Sequence, residues 1–212
     1  MDVSPLIISF KTAAVSSFII FFVSIALAFA VVRMKRFKAL ADAVITLPMV
    51  LPPAAMGFLL LLLFGRKGLD LNIVFSWSAT VVSAVAVSCP LMYKTVKASF
   101  EQLDADMLDA ARSLGVSERR IFFNIMLPCA KFGIIAGLIL AFTRSLGEFG
   151  ATIILAGNIP GQTQTMSTAI YSAIQANDFE QAVYWTAALI VFSIFFVIAM
   201  NCCVYSINGE NK

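Results

Sequence analysis

The sequence predicts an all-α, polytopic membrane protein with about five transmembrane helices. Two observations lead to this prediction. Hydrophobic residues make up 60% of the 212 residues and charged residues only 13%, a composition outside that of ordinary soluble domains. The apolar residues also gather into runs of roughly 20, the length that a helix needs to cross a bilayer core of about 30 Å. Because a backbone in lipid must satisfy its own hydrogen bonds, these runs predict helices.

The uncharged runs give the order of the elements. The five spans are predicted at residues 12–32, 43–64, within 71–93, 132–143 and about 182–205. The fourth run is short, so Pro128 is expected to start its helix and Lys131 to extend toward the interface. Between spans four and five, Gly157, Pro160 and Gly161 interrupt an uncharged stretch, which predicts a partly embedded hairpin or interfacial helix.

The basic residues predict the orientation of the chain. Lysine and arginine collect in the loop after span one and in the loop between spans three and four, at Arg33, Lys35, Arg36, Lys38, Lys94, Lys97, Arg112, Arg119 and Arg120. The opposite side carries mainly Arg66, Lys67 and Arg144. Since basic loops remain in the cytoplasm, the protein is expected in the cell membrane with its N-terminus outside and its C-terminus inside. We expect one transmembrane domain, residues 1–212, with its first apolar run retained as an anchor.

Several function classes are disfavoured by composition. Histidine is absent, which removes the usual general base and the commonest metal ligand. The four cysteines form no CxxC pair and lie in or beside apolar runs, so neither a disulfide framework nor a zinc site is expected at Cys89, Cys129, Cys202 or Cys203. No phosphate-cradling G-x-x-x-x-G-K-[ST] loop is present, so any ATP chemistry belongs to a partner. The net charge of +3 is small, and the distribution of the basic residues indicates orientation rather than nucleic-acid binding. No cofactor or catalytic residue is expected.

The loop between spans three and four, about residues 97–128, has the pattern of a docking device. Residues 103–114 predict an amphipathic helix whose shared face holds Leu103, Met107, Ala110, Ala111 and Leu114. Gly115 suits a left-handed helix end, Ser117 can cap a second short helix, and Pro128 ends that helix. The alternative is an interfacial helix lying on lipid, which the acidic residues Asp104, Asp106 and Asp109 oppose because the cytoplasmic leaflet is itself negative.

This loop resembles the "EAA" loop of ABC importer permeases, E-A-A-x3-G-x9-I-x-L-P. The chain reads Asp109-Ala110-Ala111, then Gly115, Ile125 and Leu127-Pro128 at the matching spacings, with aspartate in place of glutamate. In that family the first helix of the loop docks on a cytoplasmic ATPase. The resemblance implies that ATPase coupling residues are Asp109, Ala110, Ala111, Arg112, Leu114, Gly115, Ile125, Leu127 and Pro128.

Residues 47–68 and 144–175 further resemble the molybdate permeases, with tungstate and sulfate or thiosulfate permeases as similar alternatives. The resemblance implies the type I importer fold, also described as MetI-like. It also implies a homodimer in membrane lipid, two ATPase subunits and an extracytoplasmic oxyanion-binding protein. A stand-alone secondary transporter would need charged residues at the midplane, and a membrane enzyme would need clustered catalytic groups. The spans show neither pattern convincingly.

Two clusters are candidates for the translocation pathway or gate. Pro48, Pro52 and Pro53 lie within span two, where proline removes backbone donors and must kink or open the helix. Freed carbonyls are tolerated only against protein or a water-filled cavity. A packing role and a role in the pathway or as a hinge both remain open.

The second cluster is Arg144, Gly147, Glu148 and Gly150. Arg144 and Glu148 are four residues apart, so they can form an ion pair that fixes the helix end. Alternatively, Arg144 supplies positive potential for an oxyanion, while Gly147 and Gly150 allow close backbone approach. The nearby hydroxyl and amide groups of Thr163, Gln164, Thr165, Ser167 and Thr168 could bind an oxyanion or, as we favour, satisfy one another.

Overall fold

The computed structural model describes residues 2–66 and 68–209, with side chains described up to residue 199. Lys67, and the side chains of Cys202 and Cys203, lie outside the described residues. All the regular secondary structure in the described part is helical. The elements are α1 (Ser4–Val32), α2 (Lys38–Val50), α3 (Pro53–Phe64), α4 (Trp77–Glu101), α5 (Ala105–Ser113), α6 (Glu118–Ile121), a π-helical turn (Phe122–Met126), α7 (Leu127–Cys129), α8 (Lys131–Leu146), α9 (Gly150–Leu155), α10 (Met166–Gln175) and α11 (Phe179–Gly209).

Within the described residues, the helices α1, α4 and α11 are each long and apolar enough to cross a membrane, and the count reaches five when each of two bent pairs is one span. The pairs are α2 with α3, which meet at 113°, and α6 to α7 with α8, which meet at 70°. The predicted five-span, all-α class is therefore confirmed. The short helices α9 and α10 occupy the stretch predicted to form a hairpin or interfacial helix.

The bundle is built around close packing of α1, α4 and α8. Small side chains on one face of α1, including Ala13, Ser16 and Ala28, are fully buried. Small residues are typical of helix interfaces in membranes because they let backbones approach closely. The same seam carries interhelical hydrogen bonds, such as the 2.9 Å contact between the Thr12 and Thr80 hydroxyls.

The first span begins at Ser4, eight residues before its predicted start at Thr12. The prediction was wrong because Lys11 was taken as the limit of the apolar run. In the structure the Lys11 ammonium lies 4.0 Å from the centre of the Trp77 ring, a cation–π contact that stabilises a charge on the helix. The buried hydroxyl of Ser9 accepts a hydrogen bond from the Met166 amide at 2.8 Å.

The break between α2 and α3 follows directly from the prolines. Leu51 and Pro52 each precede a proline, a position that disfavours helical ψ, and their ψ angles are 138° and 136°. Pro53 then occupies the first turn of α3, where its missing N–H costs nothing. The expected kink is present, but at 113° it is an elbow rather than a bend within one helix. We call residues 48–53 the elbow.

Candidate functional site

The predicted coupling loop, about residues 97–128, contains helix α5, which starts two residues later than predicted. The Asp104 carboxylate accepts a hydrogen bond from the Asp106 amide at 2.8 Å and so caps the helix. Aspartate is among the strongest N-cap residues because it satisfies an amide that has no partner within the helix. Leu103 therefore precedes the helix instead of belonging to it.

The corner after α5 has the hydrogen bonds of a Schellman motif. Gly115 has a φ of +75°, its amide donates to the Arg112 carbonyl at 2.9 Å, and the Val116 amide donates to the Ala111 carbonyl at 3.1 Å. This pattern is a standard way to end a helix with a left-handed residue. The predicted backbone geometry of Gly115 is present.

The predicted apolar face of this helix divides into two. Ala111 is buried, and Leu103 and Leu108 pack beside it against the bundle core. Met107, Ala110 and Leu114 face outward, and Leu114 is 83% exposed. The expectation that Leu103 and Ala111 share the exposed docking surface is therefore wrong: one side of the loop is attached to the bundle, and a narrower apolar stripe stays open. We call Met107, Ala110 and Leu114 the outer stripe.

A chain of ion pairs joins the two sides of the corner. Arg112 contacts Asp109 at 2.5 Å and Glu118 at 2.9 Å, and these carboxylates raise the pKa of the Arg112 guanidinium, Glu118 most strongly. Glu118 also pairs with Arg33 at 2.9 Å, at the end of α1. The corner is thus tied to the first span, although exposed pairs of this kind contribute little stability each.

The second half of the loop forms a continuous bent segment rather than one short helix. Ser117 occupies the N-cap position of α6, as predicted, but its side chain makes no capping hydrogen bond. Ile125 lies in the π-helical turn, and Leu127 and Pro128 lie in α7. The 70° bend falls at Ala130, between α7 and α8, so Pro128 precedes the start of the next helix by three residues. The expectation that Pro128 opens that helix is wrong.

The elbow and Arg144 meet at one cavity. Its volume is about 220 Å³, and its lining comprises Pro48, Met49, Leu51, Pro53, Val87, Leu91 and Arg144. The structure therefore brings two of the three candidate prolines next to Arg144, although almost 100 positions of sequence separate them. Pro52 is absent from the lining.

Arg144 is paired rather than free. Its Nη1 lies 2.7 Å from Oε2 of Glu148, whose side chain is only 2% exposed, while the Arg144 side chain is 32% exposed. Oε2 nevertheless has no well-directed hydrogen bond, so the contact is a charge pairing of poor N–H geometry. The other oxygen, Oε1, accepts the Ala151 amide at 2.9 Å and caps the start of α9. This arrangement favours the interpretation that the ion pair fixes the helix end. Because Glu148 offsets the charge of Arg144, the positive potential that Arg144 presents to the cavity is reduced.

The two glycines of this segment differ in what surrounds them. A Cβ at Gly150 would lie 2.7 Å from Cβ of Pro53 and 3.2 Å from the Ala54 nitrogen, whereas a Cβ at Gly147 would meet nothing closer than 4.0 Å. Gly57 on α3 is just as tight against the Ala151 backbone, at 2.8 Å. Close approach therefore depends on Gly150 and Gly57, and the expectation for Gly147 is wrong.

The hydroxyl-rich segment before α10 satisfies its own backbone. Thr165 and Thr168 form a reciprocal capping box, and the Ile159 amide donates to the Thr163 hydroxyl at 3.0 Å. All three threonines are buried. The three threonines bond one another and the loop backbone, as the favoured interpretation required, but the buried Ser167 hydroxyl has no hydrogen-bond partner among the described residues. Gln164 lines a separate small cavity beside Asp2 and Trp185.

A charged cluster between α2 and α4 was missed by the sequence analysis. Asp42 contacts both the Tyr93 hydroxyl and the Lys97 ammonium, and Glu101 pairs with Lys38 at 2.8 Å. The available signal was a single acid, Asp42, immediately before an apolar run. It was passed over because span two was taken to begin at Ala43.

The fold and the loop together define a membrane permease of the binding-protein-dependent class. Residues 7–209 match the family described as "Binding-protein-dependent transport system inner membrane component", and the chain belongs to this family. The prediction of an importer permease is therefore confirmed.

The relatives make the assignment more specific. The chain is 46% identical over 147 residues to the molybdenum transport system permease protein ModB of Escherichia coli K12, covering 65% of this chain and 64% of that protein. It thus spans just under two thirds of that relative's length. A putative molybdenum permease of Bacillus subtilis is 35% identical over 92% of this chain and 91% of that protein. The sulfate permease CysW of Synechococcus elongatus is 33% identical over 80% of this chain and 62% of that protein.

Solved structures agree on the fold. A chain of the MetNI methionine ABC transporter, in an inward-facing conformation, matches with a TM-score of 0.79 at 13% identity, over 96% of this chain and 94% of that chain. A bacterial alginate ABC transporter, solved with an alginate-bound periplasmic protein, matches with a TM-score of 0.75 at 16% identity, over 97% of this chain and 78% of that chain.

Proposed function

We propose that this chain is the permease subunit of an ABC importer that brings molybdate into the cytoplasm. The observation that carries the proposal is the coupling loop, a capped helix and left-handed corner at the spacing typical of importer permeases, in a chain similar to molybdenum permeases. Residues 1–212 act as one transmembrane domain, with the N-terminus outside and the C-terminus in the cytoplasm.

The coupling residues work through the outer stripe. Met107, Ala110 and Leu114 enter a groove on a cytoplasmic ATPase subunit, since an exposed apolar stripe on a capped helix suits helix-in-groove recognition. Ala111, Arg112 and Gly115 hold the helix and its corner in shape, with Asp109 paired to Arg112. Ile125, Leu127 and Pro128 carry the movement toward the membrane through the bend before α8.

The passage forms between two copies of the chain. Helix α2 has no buried residue in the single chain, and its apolar side chains, such as Val44 and Leu47, are exposed. A symmetric homodimer with two ATPase subunits and one extracytoplasmic binding protein covers such surfaces and encloses a pathway. ATP binding closes the ATPase pair and opens the passage outward, and hydrolysis returns it. ATP chemistry takes place in the ATPase subunits.

The pathway is lined by the elbow and the Arg144 segment. Pro48 and Pro53 shape the cavity wall, Pro52 fixes the break, and Gly150 lets α9 approach α3. Because Glu148 reduces the charge of Arg144, the permease offers a weakly attractive passage, and selection of the anion falls mainly to the binding protein. Gly147 ends α8 and has space around it for a side chain.

Sulfate import is the second candidate, favoured by the similarity to sulfate permeases. Uptake into proteoliposomes decides between them. The vesicles contain this chain, its ATPase and its binding protein, and labelled molybdate, tungstate and sulfate are compared with and without enclosed ATP. ATP-dependent accumulation of molybdate with exclusion of sulfate is expected. Accumulation of sulfate would show that sulfate, and not molybdate, is the substrate. Accumulation without ATP would contradict the proposal that the chain belongs to an ABC importer.

A further inference from the structure

The charged cluster between α2 and α4 holds the two helices together at one end. Asp42 contacts Lys97 and Tyr93, Glu101 pairs with Lys38 at 2.8 Å, and Lys97 lies 3.6 Å from Glu101. The four charges alternate in sign between the helices, with two residues on each. We call these four residues and Tyr93 the latch.

The central pair of the latch, Asp42 with Lys97, is only partly solvated. The outer pair is more open, with both side chains 39% exposed. The Lys97 side chain is 13% exposed and the Asp42 side chain 30%. A charge removed from water is costly unless it is paired, so each partner constrains the other. Exposed ion pairs elsewhere on the protein, such as Arg112 with Asp109, lack this constraint because water solvates the separated charges.

The rest of α2 offers little to hold it against its own chain. No residue of α2 is buried, and Leu40, Val44 and Leu47 are at least half exposed. The latch is therefore the principal polar attachment of α2 to the bundle. The partly buried Ala41 and Ile45 add apolar contact on the same side.

The position of the latch connects two functional regions. Glu101 is the last residue of α4, and only Gln102, Leu103 and Asp104 separate it from α5. At the other end of α2, Pro48 lines the cavity beside Arg144. The latch therefore lies on the path of contacts that runs from α5 through the last turn of α4 and along α2 to the elbow.

We propose that Asp42 and Lys97 are positioning residues that couple the movement of helix α5 to the elbow. The inference rests on the proposed importer function. Asp42 and Lys97 act by making α2 follow α4 and need no contact with the transported anion. A purely structural ion pair would stabilise the protein without affecting how much solute is moved per ATP.

The first measurement is independent of the substrate. Amide hydrogen exchange of α2 is followed in the assembled transporter, without nucleotide and with ATP and vanadate. In the unaltered protein the exchange of α2 and of α5 is expected to change together. In Lys97→Gln, α5 should still respond while α2 no longer does. An α2 response that persists in Lys97→Gln, or is absent from the unaltered protein, would overturn the proposal.

The second measurement is molybdate uptake per ATP hydrolysed. Lys97→Gln is expected to lower this ratio by roughly fivefold, within the usual range of coupling between sites. Lys94→Gln is the matched control, because it removes the same charge from an exposed position on the same helix and should leave the ratio unchanged. Lys97→Arg keeps the positive charge between Asp42 and Glu101 and should retain most of the ratio.

The outcomes separate the two proposals. Absence of ATP-dependent molybdate uptake by the unaltered transporter would count against the proposed function, and the exchange measurement would still decide on the latch. A full uptake ratio in Lys97→Gln, or a ratio in Lys97→Arg as low as that of Lys97→Gln in a normally assembled transporter, would overturn the latch.

Discussion

The coupling loop and the elbow are both breaks in helical structure, but their geometry has different origins. At the corner, Gly115 takes up a positive φ and two backbone hydrogen bonds close the turn within six residues. At the elbow, Leu51 and Pro52 only stop the helix, and the direction of α3 depends on packing against α9 through Gly57 and Gly150. The corner is specified locally, whereas the elbow is specified by contacts far away in sequence.

The largest expected effect on uptake comes from Gly115→Val, which removes the glycine that the left-handed corner requires. A β-branched residue in left-handed geometry costs about 1–3 kcal/mol, so the corner should rearrange and uptake should fall by more than about tenfold. No atom lies within 4 Å of a Cβ built at this position, so the strain lies in the backbone alone.

Gly115→Asn is the matched control for the corner, because asparagine tolerates left-handed geometry. It should retain most of the uptake and unfold at a temperature close to that of the unaltered protein, whereas Gly115→Val should unfold several degrees lower. Full uptake by Gly115→Val would show that coupling does not depend on this corner.

The second prediction concerns the long-range contacts at the elbow. Gly150→Ala places a methyl group 2.7 Å from Pro53, and overpacking of this kind typically costs about 1–3 kcal/mol. Gly147→Ala adds the same methyl group where the nearest atom is 4.0 Å away, so it should be nearly neutral. Thermal unfolding in detergent compares the two, and equal midpoints would mean that α9 does not pack on α3 as described.

Features that are specified locally could be predicted from the sequence, and features that depend on distant contacts could not. The helix end at Gly115 and the break at the prolines were predictable, because capping and proline rules act over a few residues. The inward position of Ala111 was not, since the helix pattern alone cannot say which apolar residues the bundle covers. The charge of Lys11 made the predicted first span start too late, because its partner, Trp77, is 66 positions away.

In the candidate pathway, too, the sequence predicted contacts between near neighbours but not contacts between distant residues. Spacing correctly paired Arg144 with Glu148, which lies four residues further on and just beyond the end of α8. It could not show that the Glu148 carboxylate also caps α9, or that the elbow shares a cavity with Arg144. Asp42 and Lys97 are 55 positions apart, and no local rule joins them.

The third prediction tests whether the coupling loop has an inner and an outer side. Leu114→Ser changes a side chain that is 83% exposed, so the thermal stability of the isolated chain should barely change. Loss of an apolar anchor typically weakens an interface by about 1–2 kcal/mol, so ATPase binding should weaken by roughly tenfold. Leu108→Ser should do the reverse, because Leu108 packs on the bundle core. Equal effects of the two variants on ATPase binding would contradict the division.

The smallest effect is expected from Arg112→Gln, which removes the ion pairs of the corner and keeps its backbone hydrogen bonds. Arg112 and its partners Asp109 and Glu118 are substantially exposed, and exposed pairs contribute about 0–1 kcal/mol each. Thermal unfolding should therefore shift by only a few degrees, and this difference should shrink further in high salt, where exposed charges are screened. Uptake should remain within about twofold of normal, because the Schellman hydrogen bonds use the Arg112 carbonyl and not its side chain. A loss of uptake as large as that of Gly115→Val would mean that side-chain charges, rather than the backbone, hold the corner in place.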